Sequence, residues 1–186
     1  MNIIVKPHGN DLCYCRPDTT WERESKDFYC PDCISEIYWT PITFARASKA
    51  GKCIKKKFAA RYFDAIGFGV LLYCGKVSAG NIAFLSCADH TSLLPFPMYN
   101  PLVAENKDNL YEVIKDGTPI WKSHAEGNAD VEDAICRASE LTSIRIGDII
   151  AVELAPAELL ACRTDEVVNL KATFCENTLF DMKLIF

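Results

Sequence analysis

Apolar and polar positions alternate most clearly in the second half of the chain. "LYEVIK" (110–115) and "TPIWKS" (118–123) flank Asp116-Gly117, a dipeptide suited to a two-residue hairpin turn, and predict a pair of short antiparallel strands. Val131, Ala134, Ile135, Ala138 and Leu141 then recur at helical spacing, and Asn128 stands where it can cap that helix. "RIGDIIAVEL" turns at Gly147-Asp148 into a strand. "EVVNLKATF" and "LFDMKLIF", separated by the polar break "ENT", close the chain as another antiparallel pair.

The first half is less regular. Residues 2–6 predict a short strand stopped by Pro7, and residues 8–36 are turn-rich with a strand near "DFYC". Residues 37–47 read as a strand interrupted by Pro41, and a proline cannot donate to a ladder, so an edge position or a bulge is expected there. "CIKKKFAARYF" starts as a brief helix. "DAIGFGVLLYC" follows as a buried strand in which Gly67 and Gly69 allow close backbone approach. Residues 78–109, with Pro95, Pro97 and Pro101, form a long irregular excursion of the kind that covers something. Many strands, two short helices and mixed connections predict an α+β fold, a β-rich mixed roll.

With 186 residues and neither repeats nor a low-complexity linker, the chain is expected to form a single domain spanning 1–186. Its formal net charge of -5 gives no global attraction to nucleic acid or anionic lipid, and Lys55-Lys56-Lys57 is expected on the wet face of a short helix. No run reaches the ~18 apolar residues of a spanning helix, and the N-terminus has no signal-peptide core. A cytoplasmic location is the expectation.

Ten cysteines follow from that as reduced thiols. Six are scattered singly in apolar or amphipathic contexts. Cys13, Cys15, Cys30 and Cys33 form "CYC" and "CPDC", a spacing that permits a tetrahedral zinc site and equally permits four unligated thiols.

At "KAGKCIKKKFAARYFDAIGFGV", "IKDGTPIWKSHAEGNA" and "LTSIRIGDIIAVE" the chain resembles the fumarylacetoacetate hydrolase family, whose motifs occur in this order at nearly this spacing. The likeness covers most of residues 31–186 and extends to Lys6-Pro7. It implies that family's mixed β-roll, and it implies an activity that depends on a divalent cation, usually Mg²⁺, held by carboxylates.

In this chain the family's two metal-binding glutamates align with Thr40 and Ile42, and its metal-binding aspartate with Leu71. A second aspartate of the same segment aligns with Lys76, the family's lysine with Ser86, and a threonine with Ala129. Asp89 matches, and Glu153 stands in or beside the loop that the family writes as "TGTP". The family's water-activating His–Glu pair would precede Met1. Lys76, Ser86, Asp89 and Glu153 are left as lining for a residual pocket, with Lys76 and Glu153 a candidate charge pair. Arg61 and Asp64 read as structural partners, and His8, His90 and His124 have no neighbouring acid or cysteine that would mark a base.

Mg²⁺ needs protein carboxylates, so with Thr40, Ile42 and Leu71 at those positions no cofactor is expected. The reading that follows is a non-catalytic protein on this fold, serving in binding or assembly as a homodimer or as the partner of an intact paralogue. One alternative is a hydrolase, decarboxylase or tautomerase acting on a 2-oxo acid with a rearranged site. Another is a zinc-stabilised interaction module built on the four paired cysteines.

Overall fold

In the computed structural model, which describes residues 1–78 and 80–186, thirteen strands form two mixed sheets. The strands of the first half are β1 (Ile3–Lys6), β2 (Tyr14–Arg16), β3 (Trp21–Glu22), β4 (Phe28–Tyr29), β5 (Glu36–Ala47), β6 (Phe63–Tyr73) and β7 (Ser92–Leu93). Those of the second half are β8 (Leu110–Lys115), β9 (Thr118–His124), β10 (Ile149–Glu153), β11 (Glu158–Cys162), β12 (Val167–Phe174) and β13 (Asn177–Ile185). Three α-helices join them: α1 (Lys56–Ala59), α2 (Ile82–Leu85) and α3 (Ala129–Leu141). The large sheet runs β2-β1-β10-β5-β6-β7-β3, with β11 also paired to β5, and the small sheet runs β4-β13-β12-β8-β9. The predicted β-rich α+β roll is the architecture observed.

The axis of the large sheet is the antiparallel pair β5–β6, in register from Tyr38 opposite Tyr73 to Arg46 opposite Ala65. One face of this sheet packs on the small sheet and on α3. Tyr111 is fully buried between the sheets, and its hydroxyl donates to the Gly69 carbonyl at 2.6 Å; Phe68 stacks on Phe174 with ring centroids 4.4 Å apart. Val131, Ala134, Ile135 and Ala138 bury the predicted stripe of α3 in that same core. The far face carries a second cluster, with Ile3, Val5, Ile42, Phe44, Leu71, Tyr73, Ile149 and Ala151 under Leu85 and Leu94. The 78–109 excursion therefore does cover something: Leu85 of α2 and Leu94, just after β7, seal that far face.

Several local expectations change. Pro41 lies inside a central strand, opposite Val70 of β6, rather than at an edge or bulge. Its carbonyl accepts from Leu154 at 2.9 Å, on the side where β10 and β11 meet. β10 pairs as far as Ile42 and β11 begins at Trp39, so the missing N–H of Pro41 falls in the gap between two neighbours. Strands β2, β3 and β11 and helix α2 carry too little period to be read from sequence. Asn128 makes no side-chain cap; its amide donates instead to Pro101 and Glu105. Leu141, the last residue of α3, is 77% exposed. Asp64 pairs with Arg46 at 3.0 Å rather than with Arg61, whose guanidinium lies over Phe58.

The hairpin turn behaves as its sequence dictates, with Asp116 at φ 47° and Gly117 at φ 79°, both in the left-handed region. Gly69 answers a different demand. A Cβ there would run into the backbone carbonyl of Leu93, which cannot swing away. Gly69→Ala is expected to lower stability by about 1–3 kcal/mol, read as a lower urea midpoint at unchanged slope. An unaltered midpoint would show that β7 does not press on this position.

Candidate functional site

Strand pairing brings Thr40, Ile42 and Leu71 together. Thr40 and Ile42 are two residues apart on β5 and share a face, and Leu71 stands directly opposite Thr40 on β6. Across the other edge, Glu153 at the end of β10 stands opposite Ile42. All four belong to the far face of the large sheet. Thr40, Ile42 and Leu71 are fully buried, and Glu153 is 8% exposed.

This patch does not fit a divalent cation. The Thr40 hydroxyl is committed to the Ala155 carbonyl at 2.6 Å. Ile42 and Leu71 offer no donor atom and sit among aliphatic and aromatic neighbours. A Mg²⁺- or Mn²⁺-sized ion requires several hard oxygens, and the patch holds one carboxylate that already has partners. Glu153 accepts from the Tyr73 hydroxyl through one oxygen and from the His8 N–H at 3.0 Å through the other.

The Tyr73 hydroxyl also meets the Tyr14 hydroxyl at 2.7 Å, and the buried Ser86 lies close enough to Tyr14 to bear on its hydroxyl. Arg16, 1% exposed, places its guanidinium 5.1 Å from the Tyr73 ring centroid. Burial pushes the Glu153 carboxyl above its ordinary range, against the opposing pull of the Tyr73 hydroxyl, the His8 N–H and the Arg16 charge. Burial likewise holds the Tyr73 phenol well above its usual value.

The remaining pocket candidates do not join this array, Ser86 apart. Ser86 donates to the Ile82 carbonyl at 2.5 Å within α2. Lys76 and Asp89 are exposed, and the Lys76–Glu153 pair does not form among the described residues. The four paired cysteines are split between two places. Cys13 lies near Lys6 and Asp133, and Cys15 near Asp148; Cys30 lies near Cys33, Cys74 and Arg163. Burial pushes the Cys13 thiol up to about 11. No cluster of three or more His, Cys, Asp or Glu that could hold a metal is present among the described residues.

On the opposite face of the large sheet, where β1 and β10 end beside β9, a cleft of about 420 Å³ opens to solvent. Lys6, His8, Thr43, Phe68, Trp121 and His124 are among its lining residues, and Glu153 reaches it from the sheet end. Its size suits a small metabolite. Lys6 is tied to Asp133 at 2.7 Å and so presents a compensated charge to the cleft. Nothing in the sequence marked this cleft, because His8 and His124 are brought to it by β1 and β9, which belong to different sheets.

Aligned as backbones, proteins of known structure match nearly the whole chain. Fumarylpyruvate hydrolase from Pseudomonas aeruginosa, solved with Mn²⁺ and pyruvate, superposes with a TM-score of 0.81 at 9% identity over 100% of this chain and 90% of that one. The chain has the fumarylacetoacetate hydrolase fold. A 2-hydroxyhepta-2,4-diene-1,7-dioate isomerase from Mycobacterium marinum matches with a TM-score of 0.80 at 12% identity, over 99% of this chain and 74% of that one. A Yersinia pestis protein with a provisional fumarylacetoacetate hydrolase family assignment matches at 0.80 and 11% identity, over 99% of this chain and 92% of its own. No protein-family sequence model matches the chain, and no curated protein matches it by sequence. Among the described residues no helix is long and apolar enough to cross a membrane.

Glu153 gives the site a pH signature. Its carboxyl is raised from the usual 4.5, so the folded state holds the proton more tightly than the unfolded chain does. Its contribution to stability is fully present below about 4.5 and declines as pH climbs from there through the raised folded value. The wild-type melting temperature, measured relative to that of Glu153→Gln, is expected to fall across that window and then level off. A flat difference from pH 4 to 8 would show that the carboxyl titrates alike in both states.

Proposed function

We propose that this chain is a non-catalytic protein on the fumarylacetoacetate hydrolase fold, which binds rather than transforms a small molecule, with the cleft beside β9 as the docking place. One observation carries the reading. The three positions that the resemblance assigns to metal-binding acids are neighbours on one sealed face, and they hold a committed hydroxyl and two aliphatic side chains. A cation without ligands supplies no Lewis acid to polarise a carbonyl or to stabilise an enolate. The fumarylpyruvate hydrolase of this fold was solved with Mn²⁺ and pyruvate, and its likeness to this chain is one of backbone course.

The cleft supports the binding half of the proposal. Phe68 and Trp121 give it an aromatic wall, with Thr43, His8 and His124 as polar contacts. A cytoplasmic setting fits the ten cysteines, none of them paired in the structure.

Calorimetric titration with Mg²⁺ and with Mn²⁺ tests the reading. The expected result is no saturable heat at micromolar metal. Alongside it, acylpyruvates and oxaloacetate are expected to show no turnover above buffer. Stoichiometric micromolar binding, or turnover abolished by Glu153→Gln, would establish an enzyme with a rearranged site instead.

A further inference from the structure

We propose that Arg16 is this chain's built-in replacement for the divalent ion: its guanidinium, sealed on the far face of the large sheet, is the counter-charge of Glu153, with Tyr73 as the link between them. The proposal rests on the loss of the metal site argued above and goes on to say what balances the charge once the ion is gone.

β2 pairs with β1 so that Arg16 stands opposite Ile3, on the face that also carries Ile42 and Leu71. There the side chain is all but cut off from water. One nitrogen, Nη2, donates to the Leu72 carbonyl and to Thr91 Oγ1, each at 2.8 Å, with a longer contact to the Thr91 carbonyl at 3.4 Å. Nε and Nη1 are buried and have no partner among the described residues. The hydrogen-bond partners of the guanidinium are all neutral. A cation in that position carries a desolvation cost of several kcal/mol and needs a compensating charge or quadrupole nearby.

Tyr73 meets that need twice. Its ring face lies under the guanidinium, the arrangement in which the negative face of an aromatic ring attracts a cation. Its hydroxyl donates to Glu153. The negative charge thus begins where the ring ends, and Arg16 is among the groups that favour ionised Glu153. The members of this array adjoin the positions in question: Tyr73 is two residues from Leu71, and Glu153 is opposite Ile42. One guanidinium and one carboxylate, in place of a +2 ion among several carboxylates, would leave the buried face close to neutral.

A double-variant cycle read by thermal melting at pH 7 tests this. Arg16→Met is expected to lower the melting temperature by ~10 °C in the wild-type background and by less than half of that in Glu153→Gln. If Arg16→Met does not fold, Arg16→Lys and Arg16→Gln replace it. The charge-keeping lysine is then expected to melt higher than glutamine when Glu153 is present, and the gap is expected to close in Glu153→Gln. Equal losses in both backgrounds, or a gap that persists, would overturn the role of Arg16 and leave the loss of the metal site standing. Saturable Mn²⁺ binding to the unmodified protein would instead remove the metal-loss reading, and this proposal with it.

Discussion

The register of β5 against β6 decides what the far face of the large sheet can hold. Side chains alternate strictly along a strand, so fixing Thr40 opposite Leu71 and Ile42 opposite Gly69 commits Thr40, Ile42, Leu71 and Tyr73 to one surface. A slip of one residue would turn all of them toward the small sheet and bring Pro41, Val70 and Leu72 in their place. The register is held from both ends. The Phe44 ring lies across Gly67, where a side chain would not fit, and β10 locks the other edge of β5 from Arg46 to Ile42. Chemistry at this surface then depends only on which side chains occupy those fixed places.

Electrostatics explains why the occupants cannot be changed one at a time. Carboxylates gathered on a sealed face repel one another and lose hydration unless an ion joins them; without the ion, aliphatic side chains are the cheaper filling. Ile42 and Leu71 pack among aliphatic and aromatic neighbours in just this way. The one acid nearby, Glu153, keeps two hydrogen bonds and a basic side chain within influence. A buried acid and a buried base are each costly alone and much less so together, which ties the presence of Arg16 to that of Glu153.

Much of the fold was legible because it rests on local signals. Asp116-Gly117 demands a particular turn, the stripe from Val131 to Ala138 has a helical period, and the two closing strands are separated by a polar break. That Thr40, Ile42 and Leu71 share one surface follows from the phase of two long strands. What escaped depends on distant pairing. Arg16 sits in "CYCRP", where the cysteines draw the eye, and only the three-residue strand β2 folded against β1 turns it inward. Pro41 was misread because a proline's tolerance depends on the neighbouring strand, and the gap between β10 and β11 is invisible in "VELAPAEL". Where the cysteine pairs lie was hidden for a similar reason: spacing in sequence says nothing of where β2 and residues 30–33 come to rest.

The two faces of the large sheet divide the labour between joining the sheets and lining the far surface. The contacts that join the sheets are on the near face: Tyr111 to the Gly69 carbonyl, Phe68 on Phe174, and the α3 stripe. None of them involves Thr40, Ile42, Leu71 or Glu153. Substitutions on the far face therefore change charge and filling there without loosening the joint between sheets, since sites that share no partner contribute nearly independently. Backbones that superpose at a TM-score near 0.8 with about one residue in ten identical are what that separation allows. The near face needs only apolar side chains of suitable size, a loose requirement that many sequences meet, whereas a cation site needs particular oxygens at particular places and is abolished by a few changes.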